Sequence, residues 1–298
     1  KAIVSASQKH GGVLALEDFA NYRVIIRKPI QCFYRDFRVL TAPPPGSGVT
    51  VCEILSILNA YDLKKWGFHS AKSIHFAVEA MRRAFADRNT LLGDPAFVYN
   101  PIDRLLSPVY IRKVRSVISA DKAGNSASMG IQASPMREKM NTTHYSIVDR
   151  EGNAVSTTVT LNGFFGGKVI AGHTGFFLNN ELDDFTLKPG VSNQFKLIQG
   201  KANVIAPNKR PLSSMSPTIV MKGNKLSMVL GAAGGPTIIT AIVQTILHQI
   251  DFDMNINVAV NLPRYHMQWL PDLIYMEPFA FSADTQKVLK KMGYRLKL

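Results

Sequence analysis

The chain is 298 residues long, 46% apolar and 19% charged, enough for a sizeable core and too ordered in composition for a disordered or low-complexity chain. Lys plus Arg number 35 against 21 Asp plus Glu, a formal charge of +14. No run of five like charges occurs and the basic residues are dispersed, so the surface is generally basic and carries no dedicated nucleic-acid stripe. Two cysteines, Cys32 and Cys52, are too few for a disulfide scaffold. No His/Cys spacing suits zinc, so neither a metal nor a cofactor is expected. The chain begins at Lys1 with no signal peptide in view and reads as a processed product or a fragment.

Residues 23–40 alternate and predict strands, broken at Lys28-Pro29. APPPGSG at 42–48 predicts a rigid turn into a helix over 50–60. A second helix covers 72–92, with Ile74, Val78, Met81 and Phe85 on one face, and a third 107–118. Small polar residues without a period then predict a flexible linker over 119–140.

Beyond the linker the period changes to two. Residues 143–149 and 154–161 alternate about the turn REGN, a β-hairpin with Thr142 at the very start of its first strand. Strands follow at 216–221 and 225–231. Residues 226–250 hold no charged side chain, long enough to span a bilayer, but Gly231, Gly234, Gly235 and Pro236 divide the run into a strand, a glycine turn and a buried helix at 237–250. No membrane span is expected.

Four segments are more polar than their surroundings need: NTTHYS at 141–146, LNNELDDF at 178–185, KRPLSSMSPT at 209–218 and GAAGGP at 231–236. Singly they read as a strand entrance, a solvated turn, a cap and a packing device, though N–H groups at a glycine turn also hold anions. Asn141-Thr142-Thr143 is formally an N-glycosylation sequon as well.

Taken in order, TTHYSIVDREGNAVSTTVTLN, GFFLNNELDDF, PNKRPLSSMSPTIV, GAAGGPTIIT and PRYHMQWLPD resemble the small subunit of the γ-glutamyltranspeptidases. TAPPPGSGVTVCEILSILNAYDL and EAMRRAFADRNTLLGDPAF are similar to the later portion of that family's large subunit. The resemblance implies an N-terminal-nucleophile hydrolase, a layered α/β fold of four αββα layers, here incomplete at both ends. It implies a large-subunit part over 1–141, mainly helical and ending in the linker 119–141, and a small subunit over 142–298, together one structural domain.

The family's chemistry, carried over by position, implies self-cleavage between Asn141 and Thr142. Thr142 would then be the nucleophile, with its own α-amine as general base; such an amine has a pKa of ~7.7–8.0 and takes a hydroxyl proton near neutrality. Thr160 would bond near the Thr142 hydroxyl. Asn162, Glu181 and Asp184 would hold the substrate's α-ammonium, Ser213 and Ser214 its α-carboxylate, and the N–H groups of Gly234 and Gly235 the oxyanion. The implied substrate is glutathione or a related γ-glutamyl donor, with water or an amino acid or peptide as acceptor, in the periplasm or outside the cell. The alternatives are a non-catalytic paralogue and a related acylase or poly-γ-glutamate-cleaving enzyme.

Two departures from the family pattern stand out. GAAGGPT replaces Gly-Ser-Pro-Gly-Gly-Ser-Arg, and Phe195 replaces a lid tyrosine, predicting looser closure. The family's carboxylate-binding arginine belongs to a segment preceding Lys1, and closing strands belong after Leu298; within residues 1–298, Arg264 or Arg210 are the next candidates for that contact.

Overall fold

A computed structural model describes residues 1–129 and 140–298. Helices α1 (Ala2–Lys9) and α2 (Leu16–Asn21) open the chain, and β1 (Ile30–Tyr34) and β2 (Phe37–Thr41) follow as an antiparallel pair. The strand expected from residue 23 is therefore shorter. Residues 24–26 belong to the stretch read as alternating but form no strand, and Ile26 is 96% exposed. Alternation reports half-burial only where a neighbouring strand and core are there to receive it.

Residues 42–48 turn into α3 (Gly48–Leu58), followed by α4 (Leu63–Trp66), α5 (Ala71–Leu91), α6 (Ile102–Leu105) and α7 (Pro108–Ser116). Ser107 caps α7 by accepting from the Tyr110 N–H, and Pro108 takes the first turn, where its missing N–H costs nothing. The hairpin is β3 (Met140–Val148) and β4 (Ala154–Gly163). Then come β5 (Thr218–Lys222), β6 (Lys225–Leu230), α8 (Thr237–Ile250), α9 (Ile256–Asn261), β7 (Tyr265–His266), β8 (Ile274–Met276), α10 (Ala283–Lys291) and β9 (Leu296–Lys297). The charge-free run at 226–250 is thus a strand, a turn and a buried helix. Among the described residues no helix is long and apolar enough to cross a membrane.

Strands β1-β2-β5-β6 form one antiparallel sheet, and β7-β8-β9 a small mixed one. Helix α3 packs on β1 and β2 and against α5 and α8. It is apolar nearly all round because it has neighbours nearly all round. A single apolar core joins α3 and α5 to α8 and the buried Trp269. The hairpin lies against β5 and β6, so helices, sheet and hairpin stack as successive layers. Its other face presents Tyr145, Ile147, Val155 and Val159, each about half exposed.

Two particulars correct the sequence reading and a third adds to it. First, β3 begins at Met140, not at Thr142. The Asn141–Thr142 bond lies inside the strand, at an irregularity where Met140 pairs with Gly163 and Thr142 with Thr160.

Second, the stretch read as a linker is fastened at its start. Ala123 N–H donates to Met292 O (2.8 Å) and Gly124 N–H to Glu79 Oε1 (3.1 Å). Ser126 is buried where Arg82 and Asp272 meet, and its carbonyl accepts from the Trp269 indole (3.0 Å). A periodicity search cannot find an anchor made of long-range contacts. Residues 130–139 lie outside the described set.

Third, Cys32 and Cys52 form a disulfide that ties β1 to α3 across 20 residues. Closing a loop of that size stabilises by about 3 kcal/mol. The Cys32→Ala/Cys52→Ala variant is expected to lose that much in urea unfolding, and reductant to lower the midpoint of the native protein but not of the variant. Equal stability would show that the cross-link is energetically idle.

Candidate active site

The hairpin's period of two places Thr142, His144, Ser146, Ser156, Thr158 and Thr160 on the face toward β5 and β6. Ser146 Oγ donates to Val229 O (2.9 Å) and Ser156 Oγ to Leu230 O (3.0 Å), pinning the hairpin to β6. The His144 ring is held between Thr158 Oγ1 (2.9 Å) and Ser146 Oγ (3.1 Å). It lies so close to Gly231 that a Cβ there would stand 2.2 Å from it. That contact is why the first position of the glycine turn carries no side chain.

Thr142 is half-buried, and its hydroxyl donates to Thr160 Oγ1 at 3.2 Å. Thr160 Oγ1 also accepts the Asn162 N–H at 2.8 Å. Asn162 is buried at a positive φ of 70°, an angle that asparagine tolerates better than most residues, and donates from Nδ2 to Asn180 O at 3.1 Å. Asn180 answers by accepting the Gly163 N–H at 2.7 Å. The end of β4 is thereby bolted to the 3-10 turn Glu181–Asp184.

That turn is not a solvated acidic corner. Asp184 is buried, and Glu181 Oε1 is buried without a hydrogen-bond partner among the described residues. Burial pushes the Glu181 carboxyl up to about 7. Burial raises Asp184 too, the charge of Glu181 adds to that, and Arg88 opposes it.

Ser213 and Ser214 sit above the 42–48 turn. The Ser213 N–H donates to Pro45 O (2.7 Å), and the Ser47 hydroxyl donates to Ser213 O (2.6 Å). Gly48 is required beneath, since a Cβ would stand 2.3 Å from Ala42 O. Ser213 is half-buried; Ser214 is buried, with its Oγ accepting from Arg88 at 3.2 Å.

Gly234 and Gly235 have φ of 123° and 56°, angles a side chain resists. The Gly234 carbonyl accepts from the N–H (3.2 Å) and hydroxyl (2.8 Å) of Thr237. In a trans peptide the next N–H points the opposite way, so the Gly235 N–H faces away from α8. Pro236, with φ of −59°, enters the helix without strain. Pro236 and Thr237, which depart from the family pattern, thus close this turn through the helix start and the bonds to Gly234 O.

Other expectations meet the structure differently. Phe195 is buried in the core, and its carbonyl accepts from Gln268 at 3.1 Å. The segment around it is bonded to Asp183 and Asn193, which is not the loose lid expected. Arg264 pairs with Glu277 (3.2 Å), and the Arg210 guanidinium donates to Arg23 O (2.8 Å); neither is the arginine that meets the serine pair. That arginine is Arg88 on α5, which sequence reasoning passed over as one basic residue among many on a helix. No group of three or more potential metal ligands occurs among the described residues.

The sequence pattern that defines the family Gamma-glutamyltranspeptidase matches residues 1–298. The chain belongs to that family. It is 50% identical over 296 residues to the glutathione hydrolase proenzyme of Pseudomonas sp. (strain A14), covering 98% of this chain and 51% of that one. It is 44% identical over 297 residues to that of Escherichia coli K12, covering 99% and 51%. Among solved structures, a cephalosporin acylase from Bacillus halodurans superposes with a TM-score of 0.81 at 27% identity, over all of this chain and 51% of the other. The T380A mutant of Helicobacter pylori γ-glutamyltranspeptidase matches 52% of this chain and 83% of its own at 54% identity, with a TM-score of 0.51. The chain therefore spans about half the length of the curated relatives it matches, and its mixed α/β layering is that of the N-terminal-nucleophile hydrolases.

Glu181 and Asp184 bind protons more tightly folded than unfolded. Their contribution to stability is intact below the ordinary carboxyl range, near pH ~4. It is lost as pH rises through about 7 for Glu181. Glu181→Gln, which has no charge to bury, is expected to gain on wild type by on the order of 2 kcal/mol between pH ~5 and pH ~8. Urea unfolding at both pH values checks this; a constant difference would mean Glu181 is solvated after all.

Proposed function

We propose that this protein cleaves and transfers the γ-glutamyl group of glutathione-like donors through an ester on Thr142, after cutting its own chain between Asn141 and Thr142. The observation that carries this reading is the position of Thr142. It stands at the ladder's irregularity with its hydroxyl on Thr160 Oγ1, one bonded step from the Asn162–Asn180 link to two buried acids. Residues 1–141 then form the later part of a large subunit and residues 142–298 a small one, both within one structural domain.

In the first reaction Thr142 Oγ1 attacks the Asn141 carbonyl carbon and the peptide C–N bond breaks. The hydroxyl proton passes to the departing nitrogen, which frees the Thr142 α-amine, and water then hydrolyses the resulting ester to an Asn141 carboxylate and a free Thr142 hydroxyl. That amine, close to its own hydroxyl, takes the hydroxyl proton in turnover while the oxygen attacks the donor's γ-carbonyl. The N–H groups of Gly234 and Gly235 stabilise the oxyanion; one such donor is worth about 2.7–4 kcal/mol in a well-studied hydrolase. The leaving amine departs with the proton, and water or an amino-acid or peptide amine then takes the acyl group from Thr142.

The polar residues that a core does not need fit a free amino-acid head group. Glu181, Asp184 and Asn162 receive the α-ammonium; Glu181 Oε1, buried and without a hydrogen-bond partner among the described residues, supports that role. Ser213 and Ser214 receive the α-carboxylate. This set disfavours a bulky acyl substrate lacking that head group. The Cys32–Cys52 bond supports an oxidising location, periplasmic or secreted.

Thr142→Ala is expected to remain one chain on a denaturing gel and to lose turnover by on the order of 10⁴ or more, while Thr142→Ser retains some of both. An alanine variant that still splits before residue 142 would end the assignment. Asp184→Ala is expected to raise KM for a γ-glutamyl anilide about ten- to a hundredfold, with little further loss on a donor lacking the α-amine. Wild-type kinetics in that variant would reduce Asp184 to a structural turn.

A further inference from the structure

Arg88 lies on α5, fully excluded from solvent, beneath the serine pair. Its Nε donates to Ser47 Oγ (2.8 Å) and its Nη1 to Asn89 Oδ1 (2.9 Å). Its Nη2 reaches Ser214 Oγ (3.2 Å) and Leu212 O (3.4 Å). A guanidinium has five N–H donors and no acceptor. Every hydroxyl oxygen that faces it must accept there and turn its own proton elsewhere. For Ser47 the consequence is visible: its proton goes to Ser213 O at 2.6 Å. For Ser214 the same rule turns the hydroxyl proton away from α5.

We propose that Arg88 is the positioning residue of the carboxylate site: it polarises Ser214 outward as a donor, fixes the Ser213 backbone through Ser47, and sets its buried positive charge beneath the bound anion. This rests on the reading that Ser213 and Ser214 hold a donor's α-carboxylate. Arg88 itself touches only protein. It acts through two hydroxyls, and its charge also opposes the protonation of Asp184, so one buried cation serves both halves of the head-group site. Lysine cannot replace it, because a point charge lacks the fork that reaches Ser47 and Ser214 together.

The test uses the natural full-length polypeptide and compares γ-glutamyl p-nitroanilide with the 4-aminobutyryl analogue, which lacks the α-carboxylate. Arg88→Lys is expected to raise KM for the γ-glutamyl donor about tenfold with a smaller fall in kcat, and to cut the preference for the carboxylate-bearing donor about tenfold. Ser47→Ala should lower the same preference by a smaller factor. Arg88→Lys/Ser214→Ala should lose less than the sum of the two single variants, because one route from Arg88 runs through Ser214. If Arg88→Lys fails to fold, Ser47→Ala and calorimetric binding of L-glutamate against 4-aminobutyrate decide the matter. An unchanged preference in Ser47→Ala, or additive losses in the double variant, would overturn the proposal. The same calorimetry on the unsubstituted protein separates it from the catalytic reading: a protein that prefers L-glutamate but turns over no γ-glutamyl donor would sink the activity and spare Arg88's role.

Discussion

The register of one hairpin governs the candidate site. Side chains on a strand alternate, so a slip of one residue in β3 against β4 would send Thr142 and His144 to the outer face, away from Thr160 and Thr158, and bring Thr143 inward. The slip is blocked by specific contacts: Ser146 and Ser156 reach backbone carbonyls of β6, and the His144 ring fills the space left by Gly231. These contacts hold the Thr142 hydroxyl against Thr160.

A second constraint is electrostatic. Glu181 and Asp184 are taken out of water close to each other, which favours their neutral forms. A ligand ammonium would restore the charged forms by supplying the cation that solvent no longer supplies. The buried acids are costly to ionise in the folded protein. Arg88 moderates that cost from below, and burial in turn lowers its own proton affinity, leaving it at about 10, so it stays charged at neutral pH.

The glycine turn closes on backbone groups. A serine and an arginine are replaced by Pro236 and Thr237, yet Thr237 bonds twice to the Gly234 carbonyl, and the backbone keeps the positive φ values that the two glycines allow. Both bonds are made to a main-chain carbonyl, and the two glycines carry no Cβ to resist those angles.

By itself the sequence determined whatever depends on local pattern. The helices near 50–60, 72–92, 107–118 and 237–250, the hairpin about REGN and the break inside the charge-free run at 226–250 all follow from periodicity and turn chemistry, which act over a few residues. The crowded polar segments marked the site because isolated hydroxyls and acids beside apolar runs need a reason. Tertiary structure decided what depends on distant partners. It buried Arg88 under Ser214, 126 residues away, joined Cys32 to Cys52, anchored 123–129 through Glu79, Arg82 and Asp272, and left residues 24–26 outside any strand although they belong to a stretch read as alternating. Nothing in the spacing of Arg88 distinguishes it from the other arginines of α5; only its partners Ser47, Leu212 and Ser214 do, and those meet it only once α5, the 42–48 turn and the Ser213–Ser214 segment are packed together.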